Sequence, residues 1–348
     1  MAQPAKDDKT QAPSVTVCVI AYNSGPTLRT CLEHLTAQTF RDFEVLVIDN
    51  ASPDPGDAEI AARFPDVRLI RNPENLGFTG AGNQAARLAN GQWLVLLNPD
   101  AFARPDWLEQ LAAASHRHPS VKSFTSVQLA EDQPGYLDGL GDVMSIFGIP
   151  YRGGYLSRDV GQAREGEVFS PCGASMMIER SLFLSLGGFD EDFFCYCEDV
   201  DLGYRLQLAD QPTLLVPDAV IRHVGSASSG GRKADFAVFH GTRNRFWVLF
   251  KNTPALLLPL VVPLHLIALT AIYLRRENRP HARLIWTAVK AAFAGVPRML
   301  RSRAVVQRAR RVGLVQIARA MTWNPRDLSR RRAVIRPLRP RRHHADQH

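Results

Sequence analysis

The chain has 348 residues, of which 45 % are hydrophobic and 22 % charged, and its formal net charge is +8. This length can bury a complete α/β core and still leave an extension, so we expect one globular domain with an appendage rather than two equal domains. The composition excludes a wholly disordered protein.

The amino-terminal segment, residues 1–14, is polar and interrupted by prolines. It lacks the apolar stretch of a secretory signal, and we predict a disordered tail. The five cysteines form no CxxC pair. An odd number of cysteines without a signal fits a reducing compartment, so we expect five free thiols.

Four apolar runs of strand length occur in the first hundred residues, at 15–20, 45–48, 67–70 and 93–97. Helical patterns separate most of them, at residues 28–35, 57–64 and 80–88. This β-α-β-α order predicts a doubly wound, mostly parallel sheet. The ligand crevice of such a sheet lies at the carboxyl ends of its strands.

Polar residues follow three of these predicted strands: Tyr22 and Asn23, Asp49 and Asn50, and Asn98 with Asp100. Asp49 could accept hydrogen bonds from a base or ribose, and Ala21, Tyr22 and Asn23 would supply an aromatic face and an amide beside it. Asn, Asp and Pro also cluster in ordinary turns, so a purely structural reading stays open for each segment taken alone.

A glycine-rich segment at residues 75–83 precedes the third predicted helix. Its candidate nucleotide-binding residues are Asn75, Gly77, Gly82 and Asn83. Glycines ahead of a helix leave backbone N–H groups that can approach a ligand, although they serve equally well in a plain strand-to-helix connection.

Asp100 lies at the exit of the fourth apolar run without an evident ion-pair partner close in sequence. A carboxylate in this place is a natural ligand for a hard divalent cation that bridges phosphates, and the alternative is a turn aspartate. His223, at the end of a later strand-like segment, could supply an imidazole ligand to the same ion, although a lone histidine is more often structural.

Six carboxylates fall within residues 190–201, among aromatic residues. Acidic residues at a helix start interact favourably with its dipole, and Asp201 with Arg205 has the spacing of an i,i+4 ion pair. Neither explanation requires Glu198 and Asp199 beside an aromatic stretch, where burial would raise the basicity of a carboxylate. Asp199 is therefore the candidate general base.

The middle of the chain, residues 131–166, is glycine-rich and irregular, which is typical of either an acceptor-binding loop or a disordered insert. Beyond it we predict a strand at 174–178, a short helix ending at 187–188, and a helix from 198. Strands at 213–216 and 219–223 close the domain.

The sequence of the carboxyl-terminal third is typical of a segment that associates with a membrane. Residues 254–274 carry no formal charge and are long enough to cross a bilayer. Basic residues flank the run on both sides, so an in-plane or re-entrant arrangement satisfies the charge rule better than a single crossing. A second, amphipathic helix at 281–300 suits the head-group level, and the alternative is a buried core helix. Beyond residue 324 we predict a basic disordered tail that binds anionic lipid, with nucleic acid as the alternative partner.

The residues before the carboxyl-terminal helices resemble the family 2 glycosyltransferases, particularly their bacterial rhamnosyltransferase-like branch. The resemblance covers residues 15–250 and rests on an ordered set of short motifs. The motifs are VIAYN at 19–23, VIDNAS at 47–52, NLGF at 75–78 with Gly82 and Asn83, LNPD at 97–100, GFDEDFF at 188–194, EDVDL at 198–202, and His223.

The resemblance implies a GT-A fold, the mostly parallel, Rossmann-like fold of nucleotide-diphospho-sugar transferases. It implies that Asp49 and Asn23 hold the nucleoside, that Asp100 and His223 hold Mg²⁺ or Mn²⁺ on the diphosphate, and that Asp199 activates the acceptor. Asn98 departs from the family pattern, because many relatives have the first Asp of a D-x-D motif there.

We therefore expect a disordered tail at 1–14, a GT-A domain at 15–250, helices for membrane association at 251–324, and a basic tail at 325–348. The expected activity is inverting transfer of a sugar, best assigned as L-rhamnose from dTDP-rhamnose, to a lipid-linked or polysaccharide acceptor. The expected location is the cytoplasmic face of the cell membrane, in contact with its lipids. The alternatives are a catalytically silent, membrane-bound carbohydrate-binding or scaffold protein and a sugar nucleotidyltransferase.

Overall fold

The structure of the protein is a computed structural model that describes residues 12–158, 160–225, 234–274 and 280–339. Most of the predicted amino-terminal tail and the last nine residues lie outside the described residues. All five cysteines lie within them and are free thiols, as the sequence predicts.

The first half of the domain forms the parallel part of a ten-stranded sheet. Its strands are β1 (Val15–Ala21), β2 (Phe43–Asp49), β3 (Val67–Arg71) and β4 (Trp93–Leu97), in the order β3-β2-β1-β4. The helices between them are α1 (Pro26–Thr36), α2 (Gly56–Ala61) and α3 (Gly77–Leu88). β1 and most of β4 are buried because helices cover both faces of the sheet, as their continuous apolar sequences indicate.

The second half of the sheet is mixed. It contains β5 (Ala101–Ala103), β6 (Ser123–Ala130), β10 (Gly166–Val168), β11 (Ser175–Glu179) and β12 (Thr213–His223), with α4 (Trp107–Arg117) before β6 and α5 (Arg180–Ser185) after β11. β11 pairs antiparallel with both β4 and β6, whereas β12 runs parallel to β6. The two strands predicted at 213–223 are one strand with an irregularity between Val216 and Val220.

The sequence suggested a loop or a disordered insert at residues 131–166, but this segment contains strands. It contains β7 (Leu137–Gly139), β8 (Asp142–Met144) and β9 (Pro150–Arg152). β7 extends the main sheet and β8 pairs with β9. These strands have three residues each, too few for a recognisable alternation of polar and apolar residues, but they are largely buried.

One helix, α6 (Glu198–Leu208), precedes β12. The carboxyl-terminal third is helical and contains α7 (Asp235–Asn252), α8 (Leu258–Tyr273), α9 (Ala282–Arg308), α10 (Leu314–Ala320) and α11 (Pro325–Arg330). α9 is longer than predicted and packs closely on α7, where a Cβ on Gly295 would lie 2.5 Å from the indole of Trp247. By length and composition, the segment Ala255–Tyr273 could cross a membrane, and 17 % of its most apolar window is buried.

The prediction of disorder from residue 325 is wrong for residues 325–339. The backbone of Arg336 pairs with that of Glu167 at the sheet edge, through N–H···O distances of 2.7 and 2.9 Å. Arg339 also donates to the Glu167 carboxylate at 2.7 Å. This segment therefore covers the edge strand β10, and only residues 340–348 of the predicted tail lie outside the described residues.

Candidate active site

A cavity of about 550 Å³ opens at the carboxyl ends of β1, β2 and β4. This is the edge that the sheet topology predicts for a ligand crevice. Nine of the residues singled out from the sequence line it: Tyr22, Asn50, Asn75, Gly77, Asn98, Asp100, Glu198, Asp199 and His223. Arg152, Gly173 and the aromatic residues Phe194, Tyr196 and Phe236 also line the cavity, although the sequence analysis did not assign them to the site.

Asn50 and Asn75 shape the turn beneath the cavity. The Asn50 amide donates to the side-chain oxygen of Asn75 at 2.9 Å and to the backbone oxygen of Gly77 at 3.1 Å. The Asn75 oxygen also accepts from the Gly77 N–H at 2.8 Å. Gly77 has φ +69°, and a Cβ there would lie 2.5 Å from the Phe194 carbonyl oxygen. Glycine is therefore required at this position.

Ala21, Asn23 and Asp49 lie at the same edge but do not line the cavity. The Ala21 carbonyl accepts from the Asn50 N–H at 2.8 Å. Asn23 is exposed, and its N–H donates to Ser52 at 3.0 Å. The buried Asp49 carboxylate accepts from the Ser52 N–H at 3.0 Å and lies 3.4 Å from Arg71. These contacts make Asp49 part of the turn after β2, and its predicted contact with a nucleoside stays a prediction.

Gly82 and Asn83 lie away from the cavity because α3 begins at Gly77, not at residue 80 as predicted. A Cβ on Gly82 would lie 2.9 Å from the Phe189 ring, so this glycine permits close packing. The Asn83 amide donates to the Phe189 carbonyl at 3.0 Å and accepts from its N–H at 2.8 Å. The structure therefore gives these two residues the role of fixing the turn before residue 190.

Asp100 and His223 come together at one end of the cavity. The Nε2 atom of His223 lies 3.3 Å from a carboxylate oxygen of Asp100 and 3.4 Å from the Asn98 side-chain amide. Its Nδ1 atom lies 2.7 Å from Asp138. Burial alone would lower the pKa of His223, but the hydrogen bonds to the two aspartates outweigh it, and the pKa is raised.

Three charged residues that sequence reasoning missed, Asp138, Asp142 and Arg152, come from the short strands β7, β8 and β9. Asp138 binds both His223 and Arg152. Asp142 is buried, and burial together with the nearby charge of Asp199 raises its pKa well above the usual range. No local sequence pattern indicates that Asp138 contacts His223 or that Asp142 lies near Asp199.

Glu198 and Asp199 open α6 and line the cavity. One Asp199 oxygen accepts from the Gly173 N–H at 2.8 Å, and the other accepts from the Val200 N–H at the same distance. Glu198 is buried, and its Oε2 atom has no hydrogen-bond partner among the described residues. Burial, followed by the charge of Asp199, raises the pKa of Glu198 well above the usual range.

Asp142, Cys172 and Asp199 each place one ligand atom within 4.8 Å of the others. This cluster suits a metal poorly, because metal ligation requires a thiolate. Burial raises the pKa of the Cys172 thiol to about 12. The Cys172 thiol instead donates to Gln128 at 3.2 Å.

Asp201 forms the expected ion pair with Arg205, at 2.8 Å, but the pair is buried rather than on the surface. Lys251 of α7 also donates to Asp201 at 2.9 Å, and the Asn252 amide donates at 2.8 Å. The pKa of Asp201 is lowered to about 2; burial opposes this shift, and the charges of Arg205 and Lys251 outweigh burial. Asp201 therefore joins α6 to α7 beneath the site.

Comparison with known proteins identifies the family. The model of glycosyl transferase family 2 matches residues 16–184. The N-acetylglucosaminyl-diphospho-decaprenol L-rhamnosyltransferase of Mycobacterium tuberculosis is 30 % identical to this chain, and the match covers 64 % of this chain and 80 % of the relative. The chain belongs to glycosyltransferase family 2. The silent scaffold and the sugar nucleotidyltransferase are thereby set aside as alternatives.

Solved structures support the fold of this glycosyltransferase. The mannosyltransferase PcManGT of Pyrobaculum calidifontis, in complex with GDP-Man and Mn²⁺, matches with a TM-score of 0.50 at 21 % identity, over 89 % of this chain and 87 % of that chain. GalNAc-T7 with UDP, GalNAc and Mn²⁺ matches with a TM-score of 0.53 at 18 % identity, over 67 % and 48 %. These matches confirm the predicted GT-A fold, and the mycobacterial relative confirms the rhamnosyltransferase-like branch.

Proposed function

We propose that this glycosyltransferase transfers L-rhamnose from dTDP-L-rhamnose, with inversion, to a lipid-linked or polysaccharide acceptor in cell-envelope glycan synthesis. The observation that carries the proposal is that one cavity brings the Asp100–His223 pair together with Asp199. The Asp100–His223 pair suits binding of the leaving diphosphate, and Asp199 suits deprotonation of the acceptor. Direct displacement at the anomeric carbon by a deprotonated acceptor inverts that carbon.

The donor set fits a divalent cation, Mg²⁺ or Mn²⁺. His223 holds its Nδ1 atom against the Asp138 carboxylate at 2.7 Å, an arrangement that fixes the Nδ1–H tautomer and leaves Nε2 available as a ligand. Nε2 faces Asp100, and an imidazole beside a carboxylate suits Mn²⁺ well. Such an ion would neutralise charge on the leaving diphosphate. Asn98, in place of a second acid, would support the site through its carbonyl oxygen or a bound water.

Asp199 is the proposed general base. It is partly exposed to the cavity, and both its oxygens are held by backbone N–H groups, which fixes the direction of the carboxylate. A base must lie within hydrogen-bond reach of the hydroxyl it deprotonates, so this fixed orientation favours one acceptor pose.

The assignment of rhamnose rests on the mycobacterial relative, whose name specifies an L-rhamnosyltransferase with a lipid-linked acceptor. Tyr22 and Asn50 line the part of the cavity nearest β1 and β2, where a nucleoside would bind. The exposed ring of Tyr22 offers a stacking face, and amide side chains offer hydrogen bonds to a base or ribose.

A membrane location would suit a lipid-linked acceptor. α8 and α9 expose large apolar side chains, among them Ile267 at 66 % and Trp286 at 61 % exposure. Exposed basic residues such as Arg283 and Lys290 accompany them on α9. We propose that these helices lie in the cytoplasmic interface of the cell membrane, with their apolar side chains in the lipid and the basic residues on anionic head groups.

A donor panel tests this function. The full-length enzyme would be incubated with dTDP-L-rhamnose, UDP-glucose, UDP-galactose or GDP-mannose and a prenyl-diphosphate-linked sugar acceptor, and release of the nucleoside diphosphate would be measured. We expect dTDP-L-rhamnose to give the highest turnover, with a requirement for Mg²⁺ or Mn²⁺. Clearly higher turnover with a UDP- or GDP-sugar would reject the assignment of rhamnose.

A further inference from the structure

The backbone that leads into α6 is strained. Phe194, Tyr196 and Cys197 have positive φ angles of 64°, 70° and 65°. Phe194, with ψ −59° and an N–H···O bond of 2.7 Å from Cys195 to Phe193, forms a γ-turn of the rare, strained type. Such a residue is strained and persists only where its surroundings hold it.

This strained loop, residues 193–197, ends at the two carboxylates of the site. Phe194, Tyr196 and Cys197 line the cavity, and Glu198 and Asp199 follow directly. Cys197 takes the left-handed conformation immediately before the first residue of α6. Relaxation of the loop would therefore change where α6 begins and where its first carboxylates point.

Asn244 on α7 holds the loop. Its side chain is fully buried, and its amide nitrogen donates to the carbonyl oxygens of Phe193 at 3.0 Å, Cys195 at 2.9 Å and Tyr196 at 2.7 Å. Its amide oxygen accepts from the Arg243 guanidinium at 2.9 Å. The orientation of the amide follows from this pattern, because the oxygen could not face three carbonyl oxygens.

Two further donors complete the anchoring of the same loop. The Thr79 N–H donates to the Phe194 carbonyl at 3.2 Å, and Arg243 donates to the Phe193 carbonyl at 3.0 Å. The two N–H groups of the Asn244 amide are thus shared among the carbonyls of Phe193, Cys195 and Tyr196. Losing a hydrogen bond to a buried group is costly, so removing this one amide would favour a relaxed loop that reaches water.

We propose that Asn244 is a positioning residue: it holds residues 193–197 in their strained conformation and thereby fixes Glu198 and Asp199 at the cavity. It acts through the loop and does not itself line the cavity. The kinetic part of this inference rests on the proposed function, in which Asp199 is the base. The structural part, release of the loop, does not.

Thiol alkylation tests the structural part without any sugar substrate. Cys195 and Cys197 are half-buried, whereas the other three cysteines are buried. Burial raises the pKa of the Cys195 thiol, so it should react slowly with iodoacetamide in the native enzyme. In Asn244→Ala we expect both loop thiols to react roughly tenfold faster or more, measured by mass spectrometry of the peptide.

The matched control is Thr242→Val, on the same helix. Thr242 is also buried, and its hydroxyl accepts from Tyr273 at 3.2 Å, so the variant loses a buried α7 hydrogen bond that does not involve the loop. Its loop thiols should react at the wild-type rate. If Asn244→Ala does not fold, Asn244→Ser, which retains one donor, replaces it and should show an intermediate rate.

Turnover tests the kinetic part. Asn244→Ala should lower kcat roughly 10- to 100-fold while the donor Kd stays within about twofold, because a misplaced carboxylate affects the chemical step. Adding Cys197→Gly should recover part of the loss, because glycine adopts the left-handed conformation without strain. Wild-type alkylation rates in Asn244→Ala would overturn the proposed anchoring. Faster alkylation with unchanged kcat would overturn the positioning role while leaving the glycosyltransferase assignment untouched.

Discussion

The Nδ1 atom of His223 lies 2.7 Å from a carboxylate oxygen of Asp138. This contact joins the end of β12 to the short strand β7 and orients the imidazole towards Asp100. The proposed metal site therefore depends on Asp138 as well, because Asp138 orients His223.

Asp138→Asn is expected to weaken metal activation without abolishing it. The amide keeps the shape of the side chain but is a poorer acceptor for the His223 N–H, and loss of such a supporting carboxylate typically costs about 10- to 100-fold in metal affinity. Turnover would be measured against Mn²⁺ concentration. Asp218→Asn, an exposed carboxylate on the same strand as His223, is the control. Asp100→Ala should lose activity at every Mn²⁺ concentration.

Glu198 should make stability depend on pH. Its folded-state pKa is raised above the ordinary 4.5, so its contribution to stability is fully present below pH 4.5 and is lost as pH rises through the folded pKa. Glu198→Gln cannot ionise, so its melting temperature relative to wild type should rise between pH 4.5 and pH 8. A constant difference across that range would show that Glu198 is not buried as described.

The parallel half of the fold follows from the sequence for a clear reason. Strands covered on both faces are continuously apolar, so they can be recognised in the sequence. Their carboxyl ends meet at one edge of the sheet, so residues such as Asn50 and Asp100 can be assigned to one site from the sequence alone. The remaining site residues are brought to the site by contacts between segments that are distant in the sequence. Asp138 and Arg152 lie on three-residue strands whose pairing no local pattern specifies.

The structure differs from the sequence-based prediction at two other places, and in both the cause is a contact with a distant segment. The Asp201–Arg205 spacing predicts an i,i+4 ion pair, but it does not indicate that the pair is buried or that Lys251, fifty residues away in sequence, also binds Asp201. The arginine-rich end has the composition of a disordered tail, yet the unpaired edge of β10 and the Glu167 carboxylate give Arg336 and Arg339 specific partners.

Membrane binding should depend on exposed apolar residues of α8 and α9. Truncation after Asn252 would be a poor test, because α9 packs on α7, Thr322 donates to the end of β8, and Arg336 pairs with β10. Ile267→Glu combined with Trp286→Ser removes surface residues only, so the fold should persist. We expect this variant to lose flotation with anionic liposomes, while Leu156→Ser, an exposed apolar residue outside these helices, floats like wild type. Flotation of both variants would reject the proposed interface.

Asp201→Asn should damage stability much more than a surface ion pair would suggest. The substitution leaves Arg205 buried without its carboxylate and Lys251 with Asp190 as its carboxylate partner, and breaking a buried pair in this way costs about 3–5 kcal/mol. Because the pKa of Asp201 is lowered from 3.8 to about 2, its contribution is present above pH 3.8 and is lost as pH falls through about 2. Chemical denaturation at pH 7 and pH 3 would measure both effects; a loss under 1 kcal/mol at pH 7 would contradict the buried network.

Asp199→Asn keeps the shape of the side chain, and its amide oxygen can still accept from the Gly173 N–H, but an amide cannot accept the proton of an acceptor hydroxyl. Turnover should therefore fall by about two to four orders of magnitude, the usual loss when a general base is removed. Donor affinity, measured by isothermal titration with dTDP-L-rhamnose, should stay within about twofold, because Tyr22, Asn50 and the Asp100–His223 pair are unchanged. Asp201→Asn, two residues along the same helix, provides the contrast: at a temperature where it remains folded, it should retain most of its turnover. Normal turnover in Asp199→Asn, or a loss of donor binding in proportion to activity, would exclude Asp199 as the base and direct attention to Glu198.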